Sequence, residues 1–488
     1  MQFTSTRNGQ CSVSAAQAIL QGLSIDGGLF VPQQFPEIDL EQACQIDYCS
    51  LAADIIGGFL TDYDPDFLKQ AVTEVYQSAF GSKAGWLEQV NDTTCALELW
   101  HGPTCAFKDY ALQMMPRLLV QARKMLGSTD TTLILVATSG DTGKAALEGY
   151  KDLEGIRIEV FYPTGGTSEI QRLQMTTQQG KNVAVYAVQG NFDDAQTGVK
   201  KVFADTAIAK TLKEKGISLS SANSINWGRL VPQIVYYFYA YGQLVQKQTI
   251  QMGEKVDFCV PTGNFGDILA GWYAKQMGLP VGKLICASNK NNVLTEFLKT
   301  GTYNAKREFF KTTSPSMDIL ISSNLERLLY HISGQDDTLV KNLMEQLSTT
   351  GSYTIKPELL QKLQQDFAAD WADDQKAGQE ILERWQQDNY LCDPHTAVAF
   401  CAAKTQHTDN LCVVLSTASP YKFPAAVLNA LGQPVPENDF DALRLLEKTT
   451  QTTSPTQLTE LETKQERFTK IILPQEIADA ALDNIVAE

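Results

Sequence analysis

In the stretch "ELWHGPTCAFKDYALQMM", one lysine, Lys108, is fixed between Phe107 and Asp109, just after a turn and just before an apolar helical run. With an ordinary pKa of about 10.4, a lysine amine is protonated and a poor nucleophile at neutral pH. Desolvation between Phe107 and the apolar helix residues lowers that value, the condition under which a lysine condenses with an aldehyde. Three further stretches place reactive or ligating groups where a strand runs into a helix, the position at which open α/β sheets collect ligands. In "ATSGDTGKAAL" these are Thr138, Ser139, Gly140, Asp141, Thr142 and Gly143. Glycines, hydroxyls and free N–H groups there cradle a carboxylate or other anion, or else begin a helix with Asp141 or Thr142 as N-cap. In "PTGNFGDILAG", Gly263, Asn264, Phe265, Gly266 and Asp267 suit a phosphate, with a tight turn capped by Asp267 as the alternative. Neither the dinucleotide fingerprint nor the P-loop spacing is present. In "LSTASPYKF", Ser416 and Thr417 bring hydroxyls to a strand end, where such groups are also ordinary caps.

An aldehyde carried on a phosphorylated aromatic ring, pyridoxal 5'-phosphate, would account for the lysine, the phosphate cradle and the strand-end hydroxyl together. Taken singly, Lys108 reads rather as an ordinary snorkelling lysine paired with Asp109. Cys105 lies close by, but as a nucleophile it would need His101 as base. The ten cysteines form no C-x-x-C pair and have no histidine at ligand spacing, so buried reduced thiols are expected, with no metal.

The elements that must position these groups show in the hydrophobic pattern. "TTLILVAT" then "DTGKAALEGYKDL", "IRIEVFYP" then "TSEIQRLQMTTQQG", and "NVAVYAVQG" then "FDDAQTGVKKVFAD" read as strand then helix three times over. That alternation predicts a mostly parallel sheet with helices on both faces. "VPQIVYYFYAYGQLVQ" is apolar around too much of its circumference for a surface helix and reads as buried. "KVDFCVPTG", "KLICASN" and "LCVVLST" are further strands, and the acidic "DFAADWADDQKAGQEILERW" reads as a solvated helical face.

At 488 residues, 43% hydrophobic, the chain is long enough for two or three domains. A formal net charge of -16 argues against nucleic acid or an anionic membrane as partner, so any anionic ligand must be held by a local basic pocket. No segment has the length of apolar residues that spans a bilayer, and the first residues lack the features of a signal peptide, so a cytoplasmic protein is expected.

In this order and spacing, "HGPTCAFKDYALQ", "TSGDTGKAA", "SANSINWGR", "PTGNFGDILAGWYAKQMGLP", "DPHTAVA" and "STASPYKFP" resemble the threonine synthase family in its longer bacterial and fungal form. "FTSTRN" and "GLSIDGGLFVP" resemble that family's N-terminal domain. The resemblance implies the tryptophan synthase β-like fold (fold type II): α/β, two open mostly parallel sheets flanked by helices, with an additional N-terminal domain. The expected division is 1–92, a smaller α/β domain over 93–225, a larger one over 226–445, and a tail over 446–488 packing on the core. The implied reaction turns O-phospho-L-homoserine and water into L-threonine and phosphate, in a monomer or homodimer. Lys108 is the implied Schiff-base lysine, Gly263, Asn264, Phe265, Gly266 and Asp267 the cofactor-phosphate loop, and Thr417 the hydroxyl facing the pyridine nitrogen. Thr138, Ser139 and Thr142 are implied to grip the substrate carboxylate, with Asp141 approaching the ring's phenolic oxygen. For the substrate phosphate the basic candidates are Arg229, Lys144 and Arg172, with Ser224 and Asn226 as added donors. His101 and His395 also fall in matching motifs. Another lyase of this fold group, such as a threonine dehydratase or cysteine synthase, and a non-catalytic binding protein are the alternatives.

Overall fold

The computed structural model describes residues 1–406 and 408–483. The alternation of apolar strands and amphipathic helices produces two open sheets, as expected. The smaller has five strands, edge to edge Ile471–Ile472, Val183–Val188, Ile156–Pro163, Thr131–Ala137 and Ile217–Ser220, all parallel. The larger has six, Phe367–Trp371, Val281–Ser288, Val256–Pro261, Leu411–Ser416, Thr94–Glu98 and Trp86–Asn91, parallel except for the last pair. Val256–Pro261 is buried at every residue, the mark of a strand covered on both faces.

Sheet membership cuts across the boundaries expected from sequence. Thr94–Glu98 pairs with Leu411–Ser416 in the larger sheet rather than opening the smaller domain. From the tail, Ile471–Ile472 adds an edge strand to the smaller sheet, and Ile477 packs under Gly198 of the helix Phe192–Ala204. Within the acidic stretch read as a solvated face, Phe367–Trp371 forms an edge strand with Phe367 and Ala369 buried, and only the following helix, Asp374–Asp388, matches the expectation. The first 32 residues contain a three-stranded antiparallel sheet of Gln2–Ser5, Asn8–Ser14 and Phe30–Pro32 beside the helix Ala15–Gln21, which Ser14 caps.

The helix Trp227–Gln246 is buried as expected and packs on Tyr48–Phe59, Lys108–Leu112 and Gly266–Gln276. It thereby joins the N-terminal domain to two of the site's loops. Arg327, fully buried, reinforces the join by donating to the carbonyls of Phe30 at 3.0 Å and Ile225 at 2.5 Å. All ten cysteines are free. No helix among the described residues is long and apolar enough to cross a membrane.

Candidate active site

Lys108 is the first residue of the helix Lys108–Leu112, and the backbone before it is stitched to the end of Leu411–Ser416. Leu99 N–H donates to the Ser416 carbonyl at 2.9 Å, Phe107 N–H to the Thr417 carbonyl at 2.9 Å, and Ser419 N–H to the Cys105 carbonyl at 3.1 Å. This pairing sets Lys108 beside Thr417, although the two are remote in sequence. Cys105 takes a left-handed φ of 58° in the turn, a conformation that costs about 1–3 kcal/mol for a non-glycine residue and tends to mark functional loops. Asp109 points back into that turn and accepts from Thr104 N–H at 2.8 Å and Thr104 Oγ1 at 2.7 Å. The surface pairing of Lys108 with Asp109 is therefore not formed.

Lys108 Nζ donates to Ser316 Oγ at 3.1 Å, lies 3.6 Å from Asp141 Oδ2, and sits 4.9 Å from the centre of the Phe107 ring. Burial pushes its pKa down, Asp141 opposes the shift, and Lys422 and Arg229 add to it. The amine is thus held nearer to its neutral, nucleophilic form. Asp141 is itself a hub. Oδ1 accepts from Lys422 Nζ at 2.6 Å and Gln171 Nε2 at 2.9 Å, while Oδ2 accepts from Ser316 Oγ at 3.3 Å. Burial alone would raise this carboxyl, but Lys422 and Lys108 outweigh burial and hold it well below the usual carboxylate range. On the far side of Ser316, its N–H donates to His395 Nε2 at 3.2 Å, and His395 Nδ1 meets Asp393 Oδ2 at 2.6 Å. An acceptor role at Nε2 places the ring proton on Nδ1, facing Asp393.

At the end of Val256–Pro261, the helix Gly266–Gln276 starts without a side-chain cap, and its N-cap Phe265 adopts a left-handed φ of 62°. The loop's carbonyls are taken up by a neighbouring segment. Ser322 Oγ donates to the Gly263 carbonyl at 2.8 Å, and Asn324 N–H and Nδ2 donate to the Asn264 carbonyl at 3.1 and 3.0 Å. What remains are the N–H groups of a helix start, which have no intrahelical acceptor and favour an anion. A side chain at 263 would come within 2.8 Å of the Ser316 carbonyl, so glycine keeps the cradle open beside the lysine pocket. Ser224 adjoins the cradle, accepting from Asn324 Nδ2 at 3.1 Å. A compact oxyanion with several acceptor oxygens fits this site.

Asp267 contributes its backbone but not its carboxylate, which accepts from Tyr236 at 2.6 Å and Tyr237 at 3.0 Å. Burial pushes its pKa up to about 6, against the two tyrosine hydroxyls that lower it. An unfolded aspartate loses its proton near pH 3.9, so between about pH 4 and pH 6 the native chain binds the extra proton and this group's stabilisation fades as pH rises. Asp267→Asn lacks that dependence. Its stability relative to the wild type is expected to rise by roughly 2 kcal/mol from about pH 4 to pH 7. Denaturant titrations of both proteins across that range check this, and a constant difference would contradict it.

The "TSGDTG" loop begins the helix Asp141–Tyr150, and its N-cap is Gly140, at φ 136°, rather than Asp141 or Thr142. Thr138 does the capping: its Oγ1 accepts from Gly140 N–H at 3.0 Å and Gly143 N–H at 2.9 Å. Ser139 and Thr142 lie half-buried next to Asp141. The basic candidates for a substrate phosphate are disposed differently from the expectation. Lys144 is paired with Glu148 at 3.0 Å and with Gln178, and Arg172 is held between Glu169 and Glu466. Arg229 is buried, donates to the Ala222 carbonyl at 2.7 Å, and has its pKa pushed down to about 10 by burial. Asn226 caps its helix through Gly228 N–H and donates to the Ile19 carbonyl, so it serves the N-terminal domain contact. His101 pairs with Glu98 at 2.7 Å and lies against Trp100. Burial pushes the Cys105 thiol up to about 12, which removes it as a nucleophile.

Four residues at the centre were not singled out from sequence: Lys422, Ser316, Gln171 and Asp393. Lys422 lies inside "STASPYKFP", and Asp393 inside "DPHTAVA", where a capping aspartate before proline was a readable signal. Ser316 lies in the 3-10 turn Pro315–Met317 of a polar loop that carries no motif.

Comparison with known proteins bears on all of these elements. Residues 2–76 match the family described as "Threonine synthase N terminus", residues 87–417 "Pyridoxal-phosphate dependent enzyme", and residues 396–480 "Threonine synthase, C-terminal". "Threonine synthase" of Pseudomonas aeruginosa is 38% identical over 486 residues, covering 98% of this chain and 97% of that one. "Threonine synthase-like 1" of Homo sapiens is 40% identical over 433 residues, or 85% of this chain, which spans only 58% of that relative's length. The crystal structure of pyridoxal-phosphate-bound threonine synthase from Brucella melitensis superposes with a TM-score of 0.89 at 35% identity, covering 100% of both chains.

Proposed function

The chain belongs to the threonine synthase family of pyridoxal-phosphate-dependent enzymes, and from that premise we propose that it converts O-phospho-L-homoserine and water into L-threonine and inorganic phosphate. The fold is the tryptophan synthase β-like one. The observation that carries the reading is the convergence on one desolvated lysine of an N–H cradle and a strand-end hydroxyl from three distant parts of the sequence.

Pyridoxal 5'-phosphate, when bound, supplies an electron sink for charge developing at the substrate carbons. Lys108 would be its covalent anchor, the N–H groups of Gly263 to Asp267 would hold its phosphate, and Thr417 would offer its hydroxyl to the ring nitrogen. A neutral hydroxyl does not force a proton onto that nitrogen as a carboxylate would. The proton transfers fall to Lys108. Its amine, whose pKa burial pushes down, takes a proton from the α-carbon and moves protons between carbons as phosphate leaves the γ-carbon and water enters at the β-carbon. Ser139 and Thr142, at the start of a helix whose dipole favours negative charge, bind the substrate carboxylate. Lys144 and Arg172 are held by carboxylates and Arg229 is buried, so none of these three cations stands free to meet the departing phosphate.

The test is turnover of purified protein loaded with pyridoxal phosphate. Phosphate and threonine are expected to appear in equal amounts from O-phospho-L-homoserine. A 2-oxo acid formed from threonine or serine, with no phosphate released, would point instead to a dehydratase, and binding without turnover to a ligand-binding protein.

A further inference from the structure

Asp141 stands between two buried ammonium groups, and the reaction proposed above accounts for only one of them. We propose that Lys422 is a positioning residue: by engaging Asp141 Oδ1 it keeps that carboxylate from capturing Lys108 as a fixed ion pair, leaving the Lys108 amine free to give up and regain a proton. The inference rests on the reading of Lys108 as the reacting amine.

The distances separate the two lysines. Lys422 Nζ is 2.6 Å from Asp141 Oδ1, whereas Lys108 Nζ is 3.6 Å from Oδ2 and makes its hydrogen bond to Ser316. The Lys422 side chain is 0% exposed and also donates to the Thr104 carbonyl at 3.0 Å, in the turn that leads to Lys108. A lysine this deeply buried is stable only when paired, and Asp141 is its one carboxylate partner among the described residues. To Lys108, then, Asp141 and Lys422 together present a nearly neutral couple. Without Lys422, Lys108 would face a bare carboxylate in a desolvated pocket, where opposite charge strongly favours the ammonium form.

The other charged groups around the amine leave this logic in place. Arg229, on the helix Trp227–Gln246, disfavours the ammonium form. Asp267, at the start of Gly266–Gln276, favours it weakly, with its carboxylate turned to two tyrosines. Asp109 is turned to Thr104 and interacts with Lys422, and His395 bears on Asp141 from the Pro394–Lys404 helix.

The experiment uses the full chain without substrate. Pyridoxal phosphate is mixed with protein over a range of pH, the bond it forms is trapped with borohydride at short times, and the labelled Lys108 peptide is quantified. Only the neutral amine reacts, so the pH midpoint of trapping reports the Lys108 proton. Lys422→Met is expected to move the midpoint upward and lower trapping at neutral pH roughly tenfold. Asp141→Asn is expected to move it downward, and the double variant to return toward the wild type, because the two charges leave together. Lys422→Arg keeps the charge and should stay near the wild type. Shifts of the same sign in Lys422→Met and Asp141→Asn, or no shift in either, overturn the proposal. Should Lys422→Met not fold, Asp141→Asn and the charge-balanced double variant decide it: a double variant whose midpoint stays at that of Asp141→Asn, with no return toward the wild type, overturns the proposal. Absence of wild-type label at Lys108 would bring down the underlying reading of that residue, an outcome distinct from a label that fails to shift.

Discussion

Lys108→Ala is expected to lower phosphate release from O-phospho-L-homoserine by at least about 10³-fold, the scale lost when a positioned proton-transfer group is removed, and to leave the chain folded. The fold should survive because Asp141 keeps Lys422 and Gln171 as partners after the ammonium at 3.6 Å is gone. Removing a desolvated ammonium also relieves the burial that depresses its pKa. Lys108→Arg separates charge from chemistry. It restores a cation beside Asp141 but offers a group that does not deprotonate in proteins, so it should be as inactive as the alanine variant. Phosphate release with circular dichroism and denaturation of both variants checks this. Substantial turnover by either variant, with cofactor present, would remove Lys108 from the chemistry.

The second large effect is expected at a position that touches no ligand. Gly149 lies in the same helix as Asp141, and a β-carbon there would fall 1.8 Å from the Leu112 carbonyl oxygen of the helix that Lys108 begins. Backbone cannot swing aside as a side chain can. The missing β-carbon is therefore what lets the two helices press together and holds Asp141 within reach of Lys108. Elsewhere in a helix, Gly→Ala gains up to about 1 kcal/mol from propensity. Gly149→Ala is expected instead to cost about 3 kcal/mol or more, as overpacking does, and to lower the pH midpoint of pyridoxal-phosphate trapping at Lys108 by moving away the carboxylate that faces it. Denaturant unfolding measures the first effect and borohydride trapping the second. A variant as stable as the wild type would show that the two helices are not in this contact.

The regular part of the fold was legible because its signal is local. From Thr131 to Ala204, each strand is a short apolar run and each helix an amphipathic one, and the three units appear where the pattern puts them. Phe367–Trp371 was hidden for the same reason in reverse. An edge strand buries only alternate residues, and here it lies among acids that read as a solvated helix. The two-residue strand Ile471–Ile472 is too short to have a period, and the placement of Thr94–Glu98 in the larger sheet depends on pairing with Leu411–Ser416, more than three hundred residues away.

The site divides along the same line. The strand-to-helix turns after Ala137 and Pro261 and the lysine after the "HGPT" turn were readable because glycines, hydroxyls and a lysine stand out at fixed offsets. Partnerships were not readable. Nothing in sequence says that Asp109 turns to Thr104, that Lys144 pairs with Glu148, or that Lys422 reaches Asp141, since each depends on side-chain direction and on which loops meet. Asp267 shows how narrow the margin is: the same residue offers its N–H to the cradle and sends its carboxylate to Tyr236 and Tyr237.

The most direct measurement is borohydride reduction of the cofactor-loaded protein, followed by proteolysis and mass spectrometry. A pyridoxyl-phosphate mass addition on the peptide containing Lys108, with loss of the visible absorbance of the bound cofactor, is the expected result. That peptide recovered unmodified, with the label on another lysine or on none, would contradict the central role given to Lys108.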